Sequence, residues 1–261
     1  MLNPNEITVI SPYNDGESRT IVAICQRLGV DVRVSDQPWG ARLHLEPQEN
    51  LKSLKRVVAV VEMPSVEYEQ LLRNSGHDLH IIDHHHYPAL QLDRRQPVSS
   101  LEQTAELLGY ELDRREKGIA INDRDYIFGL IDAGYSQEEI LEIRRFDLEA
   151  QGVSPEKFEQ VREAVRKAPV QNEITILKLP FMGAGFAQDF LVMENPHQVR
   201  DLLILIGDPV DKVRFYGDPE KVTALADLGE WLGGGKRSKF WGTNNPDLEE
   251  ILRRLGLNQE I

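Results

Sequence analysis

The segment Arg56-Val57-Val58-Ala59-Val60-Val61 is the feature that most constrains the fold of this 261-residue chain. It is a continuous apolar run dominated by β-branched valine, without alternating polar residues. Such a strand is typical of a parallel sheet that is buried on both faces. Helices must then cover both faces, so the run predicts an α/β domain.

Short apolar runs alternate with helical patterns along the N-terminal half, which supports this prediction. The predicted strands are 7–10, 30–35, 56–61 and 79–82, and the predicted helices are 17–28, 67–74, 101–108 and 123–133. A further short apolar run, Gly118 to Ile121, precedes the last of these helices. The order of these elements predicts a parallel-sheet domain over residues 1–135.

The remaining chain predicts a helical connector and a smaller α/β domain. Ser136 and Glu139 form a capping box, and Ser154-Pro155 is a second helix start, so two helices are expected within 136–170. The C-terminal domain, 171–261, has predicted strands at 174–179, 202–206 and 213–216 and predicted helices at 219–231 and 247–255.

Charge and cysteine content exclude several classes of protein. The formal net charge of −13 disfavours a protein that coats long duplex DNA. The single cysteine, Cys25, can form neither an internal disulfide nor a thiolate metal cluster. No apolar run reaches about 18 residues and the N-terminus lacks the pattern of a signal peptide, so we expect a soluble cytoplasmic protein without a membrane partner.

Polar residues stand just beyond four apolar runs. They are Asp15, Glu62, the segment Asp83-His84-His85-His86, and Asp123. If the runs are neighbouring strands, their following loops meet at one edge of the sheet, where α/β proteins bind ligands. Carboxylates combined with imidazole suit Mn²⁺, with Mg²⁺ as the alternative.

Each of these residues also has a simpler interpretation. Asp15-Gly16 is a turn signal, Glu62 can be an exposed loop acid, and Asn122-Asp123 can begin a helix. The histidine segment can be a solvated loop. Their shared position at strand ends favours the metal site.

The segment Ile81-Ile82-Asp83-His84-His85 resembles the DHH phosphoesterase superfamily. That superfamily includes RecJ-type exonucleases, nanoRNases, bacterial inorganic pyrophosphatases and cyclic-dinucleotide phosphodiesterases. Other segments resemble its second motif (57–62), its serine-rich helix start (98–102), its fourth motif (118–123) and the glycine-rich loop of the DHH-associated C-terminal domain (231–236). Lys236 stands where that loop normally has histidine.

The resemblance implies one complete metal-ligand set and one incomplete set. The complete set is Asp15, Glu62, His84 and Asp123. In the first motif, Tyr13 replaces the first aspartate, and Val9 or Ser11 replaces the leading ligand. We therefore expect a one-metal site, or a site that no longer binds metal effectively.

The resemblance also implies roles in catalysis and substrate binding. His85 is expected to contact the phosphate or the leaving oxygen, with Asp83 as the second catalytic residue. Tyr13 is expected either to hydrogen-bond a substrate oxygen or to fill the vacated space. The expected substrate-binding residues of the glycine-rich loop are Gly233, Gly234, Gly235, Lys236 and Arg237. His86 is expected to be a further substrate-binding donor, although it has no counterpart role in the family.

The sequence leaves two functions open. The first is a metal-dependent phosphoesterase that hydrolyses phosphodiester or phosphomonoester bonds of short oligonucleotides or small nucleotides, with a reduced metal site. The alternative is a catalytically degenerate DHH-family protein that binds a nucleotide or a protein partner without cleaving it. The sequence leaves the oligomeric state open, a homodimer included.

Overall fold

The computed structural model of the chain describes residues 3–38, 40–197, 199–234 and 238–258. The chain divides into two compact units, Met1–Val153 and Ser154–Ile261. This division lies within the segment predicted as the connector, and one of its two helices falls in each unit. The domain boundaries expected from the sequence stay a prediction.

The first unit contains a four-stranded parallel sheet. Its strands are β1 (Ile7–Ser11), β2 (Asp31–Val34), β3 (Val57–Val61) and β4 (Asp78–Ile82). Their spatial order is β2-β1-β3-β4, and every neighbouring pair is parallel. All residues of β1 and β3 are buried, as expected for central strands covered on both faces. The predicted α/β class with a parallel sheet is confirmed.

Helices follow the strands of the first unit. They are α1 (Gly16–Arg27), α2 (Val66–Asn74), α3 (Ser100–Leu108), α4 (Arg114–Asp132) and α5 (Gln137–Ala150), and a small hairpin of β5 (His86–Tyr87) and β6 (Leu92–Asp93) follows β4. Capping boxes at Asp15, Ser99 and Asp113 begin α1, α3 and α4.

The run 118–121 is helical, so the expectation that Asp123 follows a strand of the sheet was wrong. Asp113 and Glu116 form a capping box that begins α4 ahead of this run. The backbone of α4 departs from helical geometry only later, at Tyr126 (φ 58°, ψ −164°). Asp123 therefore projects from the middle of a helix rather than from a strand end.

The order of the strands creates a crevice at one edge of the sheet. The chain leaves β1 towards β2 on one side, whereas it leaves β3 towards β4 on the other. Ligands of open α/β sheets bind outside the carboxyl ends of strands at such a switch point. The loop after β1 and Glu62 after β3 border that crevice.

The second unit is a mixed sheet with helices. Its elements are α6 (Pro155–Lys167), β7 (Val170–Gln171), β8 (Ile174–Leu179), α7 (Ala187–Glu194), β9 (Asp201–Ile206), β10 (Lys212–Gly217), α8 (Pro219–Ala224), β11 (Trp231–Gly234), β12 (Lys239–Asn244) and α9 (Leu248–Arg254). The strand order is β11-β12-β10-β9-β8-β7, with β8 and β9 parallel. Its core includes the fully buried Phe215 and Trp241.

The helix predicted over 219–231 is shorter than expected. It ends at Ala224, and Trp231 instead begins β11, where it pairs with Gly242 and stacks against the Arg214 guanidinium at 4.3 Å. Glycine at 229 lets the extended chain pass closely over the indole of Trp241. Within the described ranges, no helix is both long and apolar enough to cross a membrane.

Gly217→Ala is expected to destabilise the second unit by about 2–4 kcal/mol. Gly217 has φ 151°, and an added Cβ would collide with the carboxylate of Asp201. That carboxylate cannot move freely, because it accepts hydrogen bonds from Asp218 N (2.8 Å) and Lys221 Nζ (2.6 Å). Chemical denaturation would measure the loss.

Gly256→Ala is the matched control in the same unit. Gly256 also has positive φ (66°), but its added Cβ would meet only the end of the Asn172 side chain, at 3.2 Å. A loss of about 1 kcal/mol is expected there. Equal losses in the two variants would contradict the importance of the Asp201 contact.

Candidate metal centre

Four side chains converge at the carboxyl edge of the first sheet. They are Glu17 in the first turn of α1, Glu62 after β3, His84 after β4 and Asp123 in α4, and their ligand atoms lie within 4.8 Å of one another. His84 Nε2 lies 2.7 Å from Asp123 Oδ2, 3.3 Å from Glu62 Oε1 and 3.9 Å from Glu17 Oε2. The cluster could hold a divalent metal ion.

Three buried atoms of this cluster make no well-aligned hydrogen bond among the described residues, although two of them, on His84 and Asp123, form a close ion pair. They are Glu17 Oε2, His84 Nε2 and Asp123 Oδ2. Buried polar atoms are normally paired, because an unpaired one is destabilising. A cation between them would satisfy all three, and two carboxylates with an imidazole are a suitable donor set for it. The residues therefore fit a divalent cation.

The cluster retains protons when no metal is bound. Burial alone would lower the pKa of His84, but its contacts with Asp123 and Glu62 raise that pKa to about 10. Burial and repulsion from Asp123 and Glu62 raise the pKa of Glu17 well above its ordinary value. A metal ion must displace such protons when it binds.

Glu62 is held between the sheet and α3. Its backbone N donates to Ile82 O (2.9 Å), and its carboxylate Oε1 accepts a hydrogen bond from Ser100 Oγ (2.7 Å). Glu62 has φ 49°, an uncommon conformation for a residue other than glycine. Burial would raise its pKa, but the contacts with His84, His85 and Ser100 lower it. Glu62 is therefore a fixed anionic member of the cluster.

Glu17 is the member of the cluster that sequence reasoning missed. Its side chain is buried, and its Oε1 accepts a hydrogen bond from the backbone N of Leu101 at the start of α3 (2.9 Å). Acidic residues are common in the first turn of a helix because they interact favourably with the helix dipole, so its residue type and its place in the helix did not distinguish Glu17 from such an acid. Its nearness to the end of β1 was the available signal.

Asp15 borders the cluster and caps α1. Its carboxylate accepts a hydrogen bond from Ser18 N (2.8 Å). Burial raises the pKa of Asp15 to about 7, with repulsion from Glu62 and Asp123 contributing. Its ligand atoms are not among those that converge within 4.8 Å, and its role as a metal ligand stays a prediction.

His85 is oriented by the buried Asp83. Asp83 Oδ1 accepts a hydrogen bond from His85 N (3.0 Å) and lies 3.3 Å from His85 Nδ1. Tyr87 Oη and Arg94 Nη1 also donate to Asp83, at 3.1 and 3.4 Å. Burial would lower the pKa of His85, but Asp83 and Glu62 raise it. Since Nδ1 faces Asp83, Nε2 of this partly exposed imidazole is available to a ligand.

The substituted positions of the first motif supply none of the four converging ligands. Val9 is buried in the core, and Ser11 Oγ donates to Pro12 O (3.0 Å). Tyr13 is 45% exposed and the Arg19 guanidinium lies 5.0 Å from its ring centroid, so it does not fill a buried space.

The predicted substrate-binding residues lie in two places. His86 is exposed on β5, in the first unit. Gly233 and Gly234 belong to β11, opposite Phe240 and Lys239 of β12 in the second unit. Gly235, Lys236 and Arg237 lie outside the described residues. The substrate-binding roles stay predictions.

Among known proteins, no family model and no curated protein matches this chain, whereas 33 chains of solved structures do. One is the exonuclease RecJ bound to manganese (13% identity, TM-score 0.43), with 95% of this chain and 88% of that one covered. Another is the Mn²⁺ complex of RecJ from Thermus thermophilus (16%, TM-score 0.42), where the match covers 96% of this chain and only 51% of the other.

A third match is the pGpG-specific phosphodiesterase PggH from Vibrio cholerae. Its identity is 15% and its TM-score 0.44, with 95% of this chain and 97% of that one covered. RecJ-type exonucleases are a group of the superfamily that the Asp83-His84-His85 motif resembles. These identities and TM-scores are low, so the likeness carries no conclusion about function.

Glu17→Gln is expected to stabilise the metal-free protein by about 1–3 kcal/mol while weakening Mn²⁺ binding tenfold or more. The amide removes a buried acidic group that is repelled by Asp123 and Glu62, and it also removes an anionic ligand. Thermal denaturation with EDTA and with Mn²⁺ would show both effects.

Glu116→Gln is the matched control for that variant. Glu116 is also a buried carboxylate of the first unit, but it is paired with Arg27 (3.4 Å) and accepts hydrogen bonds from Tyr110. Its substitution is expected to lower stability and leave Mn²⁺ binding unchanged. A less stable Glu17→Gln variant that still bound Mn²⁺ would contradict the assignment of Glu17.

Binding of Mn²⁺ at about pH 7 is expected to release protons, and the affinity of the protein for Mn²⁺ is expected to rise with pH. His84, with a pKa of about 10, is protonated in the metal-free centre, and Asp15, with a pKa of about 7, is partly protonated. Calorimetry in two buffers of different ionisation enthalpy measures the protons released. A binding heat that is the same in both buffers would show that no protons are released and would contradict the protonation of His84 in the metal-free protein.

Proposed function

We propose that this protein is a divalent-metal-dependent phosphoesterase that cleaves short oligonucleotides or small nucleotides. The observation that carries the proposal is the convergence of Glu17, Glu62, His84 and Asp123, whose ligand atoms lie within 4.8 Å of one another. They offer one nitrogen and several carboxylate oxygens to a single point. The Asp83-His84-His85 motif in which His84 stands is the one that resembles phosphoesterases.

The surrounding side chains support hydrolysis at phosphorus. A divalent cation supplies charge stabilisation for a phosphoryl oxygen and lowers the pKa of a water molecule. Asp83 keeps the pKa of His85 raised, so His85 can donate a proton to the leaving oxygen. Ser100 holds Glu62 by its 2.7 Å hydrogen bond, which keeps that ligand from rotating away.

A single ion is the stoichiometry that we propose. Val9, Ser11 and Tyr13 replace the ligands of a second ion, and none of them offers a free carboxylate or imidazole. We propose Mn²⁺ as the ion, with Mg²⁺ as the alternative, because Mg²⁺ prefers an all-oxygen site.

The substrate is proposed to be small. A net charge of −13 repels the phosphates of a long polymer, whereas a short substrate carries few of them. The cytoplasm is the proposed compartment, because the single cysteine is a free, buried thiol and therefore needs no oxidising environment.

The wild-type protein is expected to convert a linear dinucleotide to mononucleotides only when Mn²⁺ is present. His84→Ala should abolish both Mn²⁺ binding and cleavage, because it removes the central ligand. His85→Ala should retain the ion but lower kcat roughly 10²- to 10⁴-fold, because it removes the proton donor. Chromatography of the products and Mn²⁺ calorimetry measure the two properties separately.

His77→Ala is the matched control, since the His77 imidazole pairs with Lys55 O at the opposite end of β4 (2.8 Å). Ion and dinucleotide binding without any cleavage would favour the non-cleaving alternative. Absence of Mn²⁺ and Mg²⁺ binding would overturn the proposed function altogether.

A further inference from the structure

A buried polar network of the first unit links α5 to the residues next to Glu17 and Asp123. Its central group is the Asp147 carboxylate of α5, which accepts hydrogen bonds from Arg144 Nη1 (2.8 Å) and Gln151 Nε2 (3.0 Å). Arg144 Nη1 also donates to Asn122 Oδ1 of α4 (3.1 Å). Asp147, Arg144 and Asn122 are each less than a tenth exposed. None of these residues belongs to the converging ligands.

The first link from this network reaches α1. The backbone N of Gly16 donates to Asp147 Oδ1 (3.0 Å). Gly16 is the residue between Asp15 and Glu17, so this bond anchors the turn that carries Glu17. The approach is close, because a Cβ on Gly16 would lie 3.1 Å from the Cα of Asp147.

The second link reaches α4. Asn122 Nδ2 lies 3.4 Å from the other carboxylate oxygen, Asp147 Oδ2. Asn122 directly precedes Asp123, so this contact anchors the turn that carries the fourth ligand. The Arg144 guanidinium also lies 4.8 Å from the ring centroid of Tyr126, where α4 leaves helical geometry.

We propose that Asp147 is a positioning residue that sets the separation between Glu17 and Asp123 and thereby the affinity of the centre for its ion. Its two oxygens contact the chain neighbours of those two ligands, one oxygen on each side. Metal sites need their ligands held within about 0.5 Å, which one buried carboxylate between two helices can do. The inference rests on the proposed function, because it assumes that the centre binds a cation.

The test compares Mn²⁺ affinity in full-length Asp147→Asn and in the wild type, by calorimetry. The amide can still accept from Gly16 N, but its NH₂ group faces the donors of Arg144, Gln151 and Asn122. We expect Mn²⁺ binding about 10- to 100-fold weaker in a folded protein, as for other residues that support metal ligands. Electron paramagnetic resonance of free Mn²⁺ gives an independent affinity.

Glu116→Gln separates positioning from general loss of stability. It disturbs a buried carboxylate that pairs with Arg27 near the start of α4, away from the network. It should lower the melting temperature and leave the Mn²⁺ affinity unchanged. Equal weakening of Mn²⁺ binding in this control would overturn the inference.

If Asp147→Asn does not fold, the Asn122→Ala variant tests whether the network positions the cluster. It removes the link to α4 while the Arg144–Asp147 pair remains, and about tenfold weaker binding is expected. Unchanged Mn²⁺ affinity in a folded Asp147→Asn or Asn122→Ala protein would overturn the inference and leave the proposed function standing. A wild-type protein that binds no Mn²⁺ would overturn both.

Discussion

The crowding of carboxylates around one imidazole is the constraint on which the first unit depends. Glu17, Glu62 and Asp123 lie close to His84, at a place where water cannot fully solvate them. Like charges brought together away from water repel one another and oppose folding. The chain offsets this with a protonated His84 and with hydrogen-bond donors from α3. The fold therefore holds these residues in an arrangement that a cation completes.

Asp83 and His84 are adjacent in sequence but differ in their surroundings. Asp83 is buried among donors from His85, Tyr87 and Arg94, and none of its oxygens belongs to the converging ligands. His84 instead faces the carboxylates of three other elements. Asp83 thus orients His85, while His84, which lies between them in the sequence, supplies the nitrogen of the proposed centre.

The sequence predicted the sheet of the first unit well, because β1 and β3 are buried on both faces and leave a continuous apolar signal. The sequence analysis grouped Glu62, His84 and Asp123 because each was expected to follow a strand, which is incorrect for Asp123. Asp123 projects from α4, whose apolar residues 118–121 look the same in a strand or a helix. The nearness of Glu17 to the end of β1 was a weak signal, since the elements that distinguish it from a surface acid, β3, β4 and α4, lie far along the chain. Helix α8 was overextended because Gly229 and Trp231 depend on Trp241 and Gly242, which follow later in the chain.

The contact of Gly16 with Asp147 joins residues 131 positions apart in the sequence. During synthesis, the strands β1–β4 and the residues Glu17, Glu62 and His84 emerge before Asp123. All four converging residues emerge before α5, which carries Asp147. A nascent chain without α5 carries the ligands but not the carboxylate that spaces two of them. If the centre binds the proposed ion, its capture is a late event in the maturation of the first unit, and an incomplete chain gains little free energy of folding from the ion.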